Sequence, residues 1–382
     1  MSGKFDYVVV GGGSAGCIVA AELARKLPDA RVLLLEAGDD AREHPETLDA
    51  DRYKEAFVND ALMHERFSTV DRRWGNRRLF LGSGRGLGGS GSINAMVYTR
   101  GAELDFASWP KGWRWDDVAP VFDRLEATLH PHQRDATDWA DRCIAASERA
   151  GFRRSDDLND GDLSGVLGYE WMSFEGQARR SGFTAFLLPA LSECPNLSVI
   201  TNAQVESLEL QGDRCVGVRF RGRGAHVVRP TQEVILCAGA LVSPAILQRS
   251  GVGEEKHLRK LGVDVVLDRP EVGANLHDHP NVQLFYRGGR ATETYYPLLY
   301  GFHRARPRTD LPLAQSDTCY VFYPAVSSFR EGLIRLLPGI ALPPALYERT
   351  RLPSVMRSGI EKAFEQRAVQ DFVAKLSGIV VI

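Results

Sequence analysis

Phe5-Asp6-Tyr7-Val8-Val9-Val10-Gly11-Gly12-Gly13-Ser14-Ala15-Gly16 is the stretch on which the reading of this chain turns. Its first half is apolar and β-branched without polar alternation, the pattern of a strand buried on both faces of a parallel sheet. Its second half places glycines at Gly11, Gly13 and Gly16 in G-x-G-x-x-G spacing. A helix is expected next, because Ala20, Leu23, Ala24 and Leu27 recur on one face and Pro28-Asp29 then interrupts the pattern. Residues 31–35 read as a second strand ending at Glu36, 20 positions beyond Gly16. Strand, glycine turn, helix, strand and acid in this order and spacing form a dinucleotide-binding fingerprint.

Each part has a physical task. Gly11 permits the tight turn, Gly13 lets the backbone approach a pyrophosphate, and Gly16 lets helix and strand pack closely. Ser14 and Ala15 open the helix, whose free N–H groups and positive dipole end favour phosphate. Glu36 is placed to accept hydrogen bonds from a ribose diol. With Asp39 and Asp40 just beyond it, it would repel a 2′-phosphate, which disfavours NADP. The fingerprint does not separate FAD from NAD.

A second glycine cluster lies in residues 82–101, GSGRGLGGSGSINAMVYTRG. Its glycine density excludes a regular helix or strand. Two readings remain: a flexible linker, or a backbone held against a flat cofactor with Ser90, Ser92 and Asn94 as polar contacts. Residues 85–98, RGLGGSGSINAMVY, resemble the first signature of the glucose–methanol–choline (GMC) family of flavoprotein oxidoreductases. Residues 239–253, GALVSPAILQRSGVG, are similar to the second signature, and Val272-Gly273-Ala274-Asn275-Leu276-His277-Asp278-His279-Pro280 resembles the family's GxNLxDH element. These elements occur in family order over residues 5 to 280.

The resemblance implies a Rossmann-like α/β FAD-binding domain with a partial antiparallel-sheet substrate domain. It implies hydride transfer from the CH–OH group of an alcohol to FAD, with oxygen or a quinone as electron acceptor. Gly11, Gly13, Gly16 and Glu36 would hold the ADP part of FAD. Arg85, Gly88, Gly89, Ser90, Asn94, Ala95 and Met96 would lie beside the pyrophosphate and flavin, and the backbone of Val205 would meet the adenine. Some members attach the flavin through a His just before the signature Asn; that position is Ile93 here, which implies non-covalent FAD. The catalytic base of the family is a His in a late HPxG-like motif, partnered by a His or Asn. Neither is found: His44-Pro45, His130-Pro131 and His279-Pro280 have the wrong neighbours, and only His303 lies beyond residue 290. No catalytic residue is therefore named, and the alternative reading is a flavin-binding chain that needs a C-terminal half.

Other features carry less. His277 and His279 lack a third ligand, so no metal site is expected. Arg179-Arg180 reads as a basic surface patch, and Trp109, Trp113 and Trp115 as a packed aromatic cluster. For the helix that follows residue 238, Ser243-Pro244 reads as N-cap and first position, with Gly251 as its stop. A late helix is expected over residues 355–376, and the final residues 376–382 read as an apolar strand with an uncovered edge. The FAD-binding domain is expected to be discontinuous, residues 1–155 and 187–285. Residues 156–186 and 286–382 would form part of the substrate domain.

Composition is consistent with this outline. Across 382 residues, 47 Lys+Arg against 49 Asp+Glu give a net charge of −2, which excludes a general polyanion-binding role and points to no nucleic-acid partner. Six cysteines without a CxxC pair suit a reducing cytoplasm, and residues 1–6 carry no signal-peptide core. No transmembrane segment is expected.

Overall fold

A computed structural model describes residues 4–72, 75–76, 78–292, 294–296, 298–305, 310–312 and 314–382. The reading of the first residues as free of a signal core thus falls partly, at Met1–Gly3, outside the described residues. The chain forms two compact units. The first comprises Met1–Arg66, Gly82–Asn94 and Glu175–Asp278; the second comprises Phe67–Leu81, Ala95–Phe174 and His279–Ile382. Residues 95–155, expected with the flavin domain, thus fall in the second unit, and residues 175–186 fall in the first.

The first unit is built on a four-stranded parallel sheet in the order Leu197–Ile200, Val32–Leu35, Phe5–Val10, Pro230–Leu236. All four residues of Val32–Leu35 are buried, as are Val8, Val9 and Val10. Each such side chain contributes about 1.5–3 kcal/mol of transfer free energy, which explains why these runs lack polar alternation. The fingerprint helix is Ser14–Lys26, and its buried residues are Gly16, Cys17, Ala20, Ala21 and Ala24. This corrects the expected stripe: small residues line the sheet side, while Leu27 is exposed at the C-cap.

An antiparallel meander, Gln204–Gln211, Arg214–Gly222 and Gly224–Val228, lies in the chain between the Leu197–Ile200 and Pro230–Leu236 strands. Val205, Val218 and Phe220 from it join Phe5, Val8, Leu33 and Ile246 in one cluster. The helix bearing Ile246 runs Gly239–Arg249, so Ser243-Pro244 is not its N-cap and first position. Instead the Ser243 hydroxyl accepts a hydrogen bond from the Ala238 N–H at 3.0 Å, capping the helix start from one turn inside. Gly251 ends the helix as expected, with φ of +86°.

The second unit centres on a six-stranded sheet ordered Val282–Arg287, Leu376–Val381, Thr318–Pro324, Leu299–His303, Val166–Tyr169, Arg153–Arg154. Only the last pair is parallel. The Leu376–Val381 strand therefore lies inside the sheet, paired on both sides, and the exposed edge belongs to Val282–Arg287. One face packs Trp139, Ile144, Leu167, Tyr169, Leu299 and Phe322, with the Trp139 indole N–H donating to Ser377 Oγ at 3.1 Å. The late helix is two helices, Leu352–Glu365 and Arg367–Val373, because Gln366 adopts an extended backbone (φ −75°, ψ 128°) between them.

Candidate cofactor site

Gly11 turns the chain out of the first strand with φ of +99°, and a Cβ there would lie 2.7 Å from the Ala238 backbone. A Cβ on Gly16 would stand 1.8 Å from the Gly11 carbonyl oxygen, so only glycine lets the helix seat on the turn. Gly13 is the opposite case: a Cβ built on it meets nothing within 4 Å among the described residues. Gly13 is also the N-cap of the helix and supplies no side-chain cap, leaving first-turn N–H groups available. Close packing at Gly11 and Gly16 with open space at Gly13 is the arrangement a pyrophosphate requires.

The second glycine run is laid directly against the first. Gly88 donates its N–H to the Gly12 carbonyl at 2.7 Å, and Gly13 and Gly88 form a parallel bridge. A Cβ on Gly89 would come within 2.8 Å of Gly13 Cα, and one on Gly91 within 2.6 Å of Ser14 Oγ. Residues 86, 88 and 89 all have positive φ. The run is a packed wall, not a free linker. Ser90 Oγ accepts the Gly84 N–H at 3.0 Å and so holds the loop in shape.

Glu36 joins the two glycine runs. Its buried carboxylate accepts the N–H of Gly12 at 2.7 Å through Oε2, and those of Gly38 at 2.8 Å and Gly86 at 3.0 Å through Oε1. A carboxylate has about four acceptor positions, so roughly one is left for a ribose hydroxyl. The diol reading is thereby narrowed to a single bond, and the residue's first task is to tie the loops together. Nearby, the His44 hydrogen bond holds the Asp39 carboxyl below the usual carboxylate range. Burial, together with Arg66 and Arg85, lowers the His64 imidazole to about 4, so it stays neutral.

Arg85 donates from Nη2 to the Ala37 carbonyl at 3.2 Å, while its buried Nε has no partner among the described residues. A buried cationic donor without a partner among the described residues suits an anionic ligand. Cys17 is inert: its thiol donates to the Gly12 carbonyl, and burial pushes its pKa up to about 12. Val205 points its side chain into the core cluster, which leaves only its backbone to meet a ligand, as the resemblance implies. Ala95 and Met96 belong to the second unit, where Met96 is buried with φ of +65° and its carbonyl accepts the Ser173 N–H.

Two residues were misread or missed in the sequence. Arg179 is fully buried, not part of a surface patch, and bonds to Asn94 and Gly91. Glu170, in the second unit, is buried with neither carboxylate oxygen hydrogen-bonded among the described residues. Burial raises its pKa well above the usual range, opposed only by Arg134. Its strand neighbours Tyr169 and Trp171 are apolar in character, and nothing in the local pattern marks it out.

Trp109 and Trp115 both pack on Phe106, with ring centroids 5.0 and 5.6 Å away, while Trp113 is exposed. His277 uses Nδ1 on the Asn275 carbonyl at 3.0 Å, and no cluster of three metal-ligating side chains occurs among the described residues. His303 stands beside Phe152, ring centroids 5.3 Å apart. No described helix is long and apolar enough to cross a membrane.

A GMC oxidoreductase family model matches residues 5–281. An oxygen-dependent choline dehydrogenase from Ectopseudomonas mendocina (strain ymp) is 35% identical over 319 residues, 75% of this chain and 54% of the relative. An uncharacterized GMC-type oxidoreductase in the thcA 5′ region of Rhodococcus erythropolis is 34% identical over 365 residues, 88% of this chain and 68% of the relative. Pyridoxine 4-oxidase from Mesorbium loti superposes with a TM-score of 0.72 at 26% identity, over 84% of this chain and 66% of that structure. A formate oxidase structure covers the full chain at a TM-score of 0.76 and 20% identity, a likeness of fold. The chain spans 52% to 58% of the length of choline dehydrogenases it matches.

Proposed function

The chain belongs to the glucose–methanol–choline oxidoreductase family, and from that premise we propose that its first unit binds FAD non-covalently for the oxidation of an alcohol CH–OH group. The observation that carries the reading is the open space at Gly13 between two interlocked glycine runs. Gly11, Gly13 and Gly16, with Ser14 and Ala15 at the helix start, would hold the pyrophosphate through backbone N–H groups, and Glu36 would accept one ribose hydroxyl. Arg85 would supply charge to the phosphates. Gly88, Gly89, Ser90 and Asn94 would form the wall along the flavin, with Ala95 and Met96 continuing that run, and the Val205 backbone would face the adenine. Ile93 offers no nucleophile for covalent attachment. A bound FAD supplies the acceptor for hydride from the alcohol carbon and passes the electrons to oxygen or a quinone.

The second unit would contribute the substrate-binding sheet, and the protein's setting would be cytoplasmic. Anaerobic mixing of the FAD-loaded chain with primary alcohols tests the reading: bleaching of the flavin absorbance supports it, and a chain that takes up no FAD contradicts it. A second reading is a flavin-binding chain that turns over only with a further polypeptide. It is supported by the Val282–Arg287 edge strand, whose residues are all exposed, with Val282 and Leu284 its most exposed aliphatic side chains. Bound FAD that alcohols reduce only after the C-terminal part of a relative is added would favour this second reading.

A further inference from the structure

Arg179 has no exposed surface, and its three hydrogen bonds all leave from Nη1. They run to the Gly91 carbonyl at 3.1 Å, the Asn94 carbonyl at 2.8 Å and Asn94 Oδ1 at 3.0 Å. Its Nε and Nη2 have no partner among the described residues. Burial lowers the guanidinium to about 10, so it stays charged at neutral pH. A buried arginine without a bonded carboxylate is costly to keep, yet it is secured here: Thr184 Oγ1 donates to the Arg179 carbonyl, and the Arg179 N–H bonds the Leu48 carbonyl.

The chemistry of the pair fixes an orientation. A guanidinium has only donors, so the amide atom facing it is the oxygen, and Asn94 Nδ2 is directed away from Arg179. We propose that Arg179 is a positioning residue that locks the Asn94 amide with its NH2 group presented to the acceptor edge of the flavin ring. The same Nη1 group pins the Gly91 and Asn94 carbonyls, holding the end of the second glycine run in one shape. The ring's carbonyl oxygens and unprotonated nitrogen are acceptors that gain negative charge on reduction, so a fixed donor favours the reduced form. This inference rests on the reading that FAD lies along residues 85–96.

The test uses two variants of the full chain. Asn94→Asp keeps an oxygen toward Arg179 and exchanges the NH2 donor for a carboxylate oxygen, an acceptor that brings a negative charge. Arg179→Lys keeps the charge but loses the rigid planar guanidinium that sets the Nη1 group against its three acceptors. Apo melting temperature, FAD dissociation constant and flavin reduction potential are measured for each. Asn94→Asp is expected to melt at or above the wild type, bind FAD about tenfold more weakly, as one charge-assisted or well-placed hydrogen bond predicts, and hold a flavin of lower potential. Arg179→Lys is expected to shift affinity and potential in the same direction, and the double variant to be less than additive. Wild-type affinity and potential in Asn94→Asp overturn the proposal, whatever Arg179→Lys does to folding. A wild-type chain that binds no FAD overturns the site reading itself, and this positioning role with it.

Discussion

The two units solve the burial of polar groups in opposite ways. In the first, Glu36 accepts three N–H groups and Arg179 donates to two carbonyls and one amide oxygen, while Arg85 Nε and Arg179 Nε and Nη2 stay without a partner among the described residues. In the second, Glu170 is equally buried but without a hydrogen bond, and a six-residue edge strand lies open. A preformed binding site needs its groups fixed before the ligand arrives. A buried carboxyl without partners instead has its pKa raised, because burial disfavours the charged form.

The comparison is most easily broken at Gly16. Because a Cβ would sit 1.8 Å from the Gly11 carbonyl, Gly16→Ala is expected to cost about 3 kcal/mol or more and to abolish FAD retention, in the range of severe steric and backbone defects. Chemical denaturation and the flavin-to-protein ratio measure both effects; a variant that keeps wild-type stability would show that the turn is not the packed element described.

Glu170 sharpens the other side through pH. Its folded-state pKa is raised above the unfolded value of a carboxyl, so the native state holds more protons and stability falls as pH rises from about 4.3 upward. Glu170→Gln should remove that part of the slope and raise the melting temperature at pH 7 relative to wild type. Parallel melts from pH 4 to 8 decide it: an unchanged slope in the variant would mean that Glu170 is ionised and paired after all.

Glu36→Gln probes the hub of the first unit with a smaller expected effect. Glutamine retains one acceptor oxygen but turns an NH2 toward a backbone N–H, so a cost of about 1–3 kcal/mol is expected, the penalty for a buried unsatisfied pair. Denaturant titration of the apo chain reads this independently of the cofactor.

Much of this arrangement was legible in the sequence because it is local. The Phe5–Val10 strand, the glycine turn and the Leu197–Ile200 strand follow from runs of apolar residues and nearby glycines. The rest depends on contacts distant in sequence. The Leu376–Val381 strand looks like an edge until Val282–Arg287 and Thr318–Pro324 flank it. Arg179 looks like half of a surface pair, because Asn94 lies 85 residues away. Ser243-Pro244 resembles a helix start locally, yet the Ser243 hydroxyl reaches back to Ala238. Glu36 stands out by spacing, but of its three backbone donors Gly12 and Gly86 come from two separate glycine runs and only Gly38 is local.

The most direct test of the account is an FAD titration of the apo chain and its Gly13→Ala variant, followed by flavin fluorescence alongside the apo melting temperature. Gly13 has φ of −70°, which alanine adopts freely, and open space where the methyl would go. The account predicts an apo melting temperature close to wild type, with FAD affinity lowered at least about tenfold, because the methyl occupies the pyrophosphate's place. Unchanged affinity in the variant would contradict the claim that the cofactor is held at this turn.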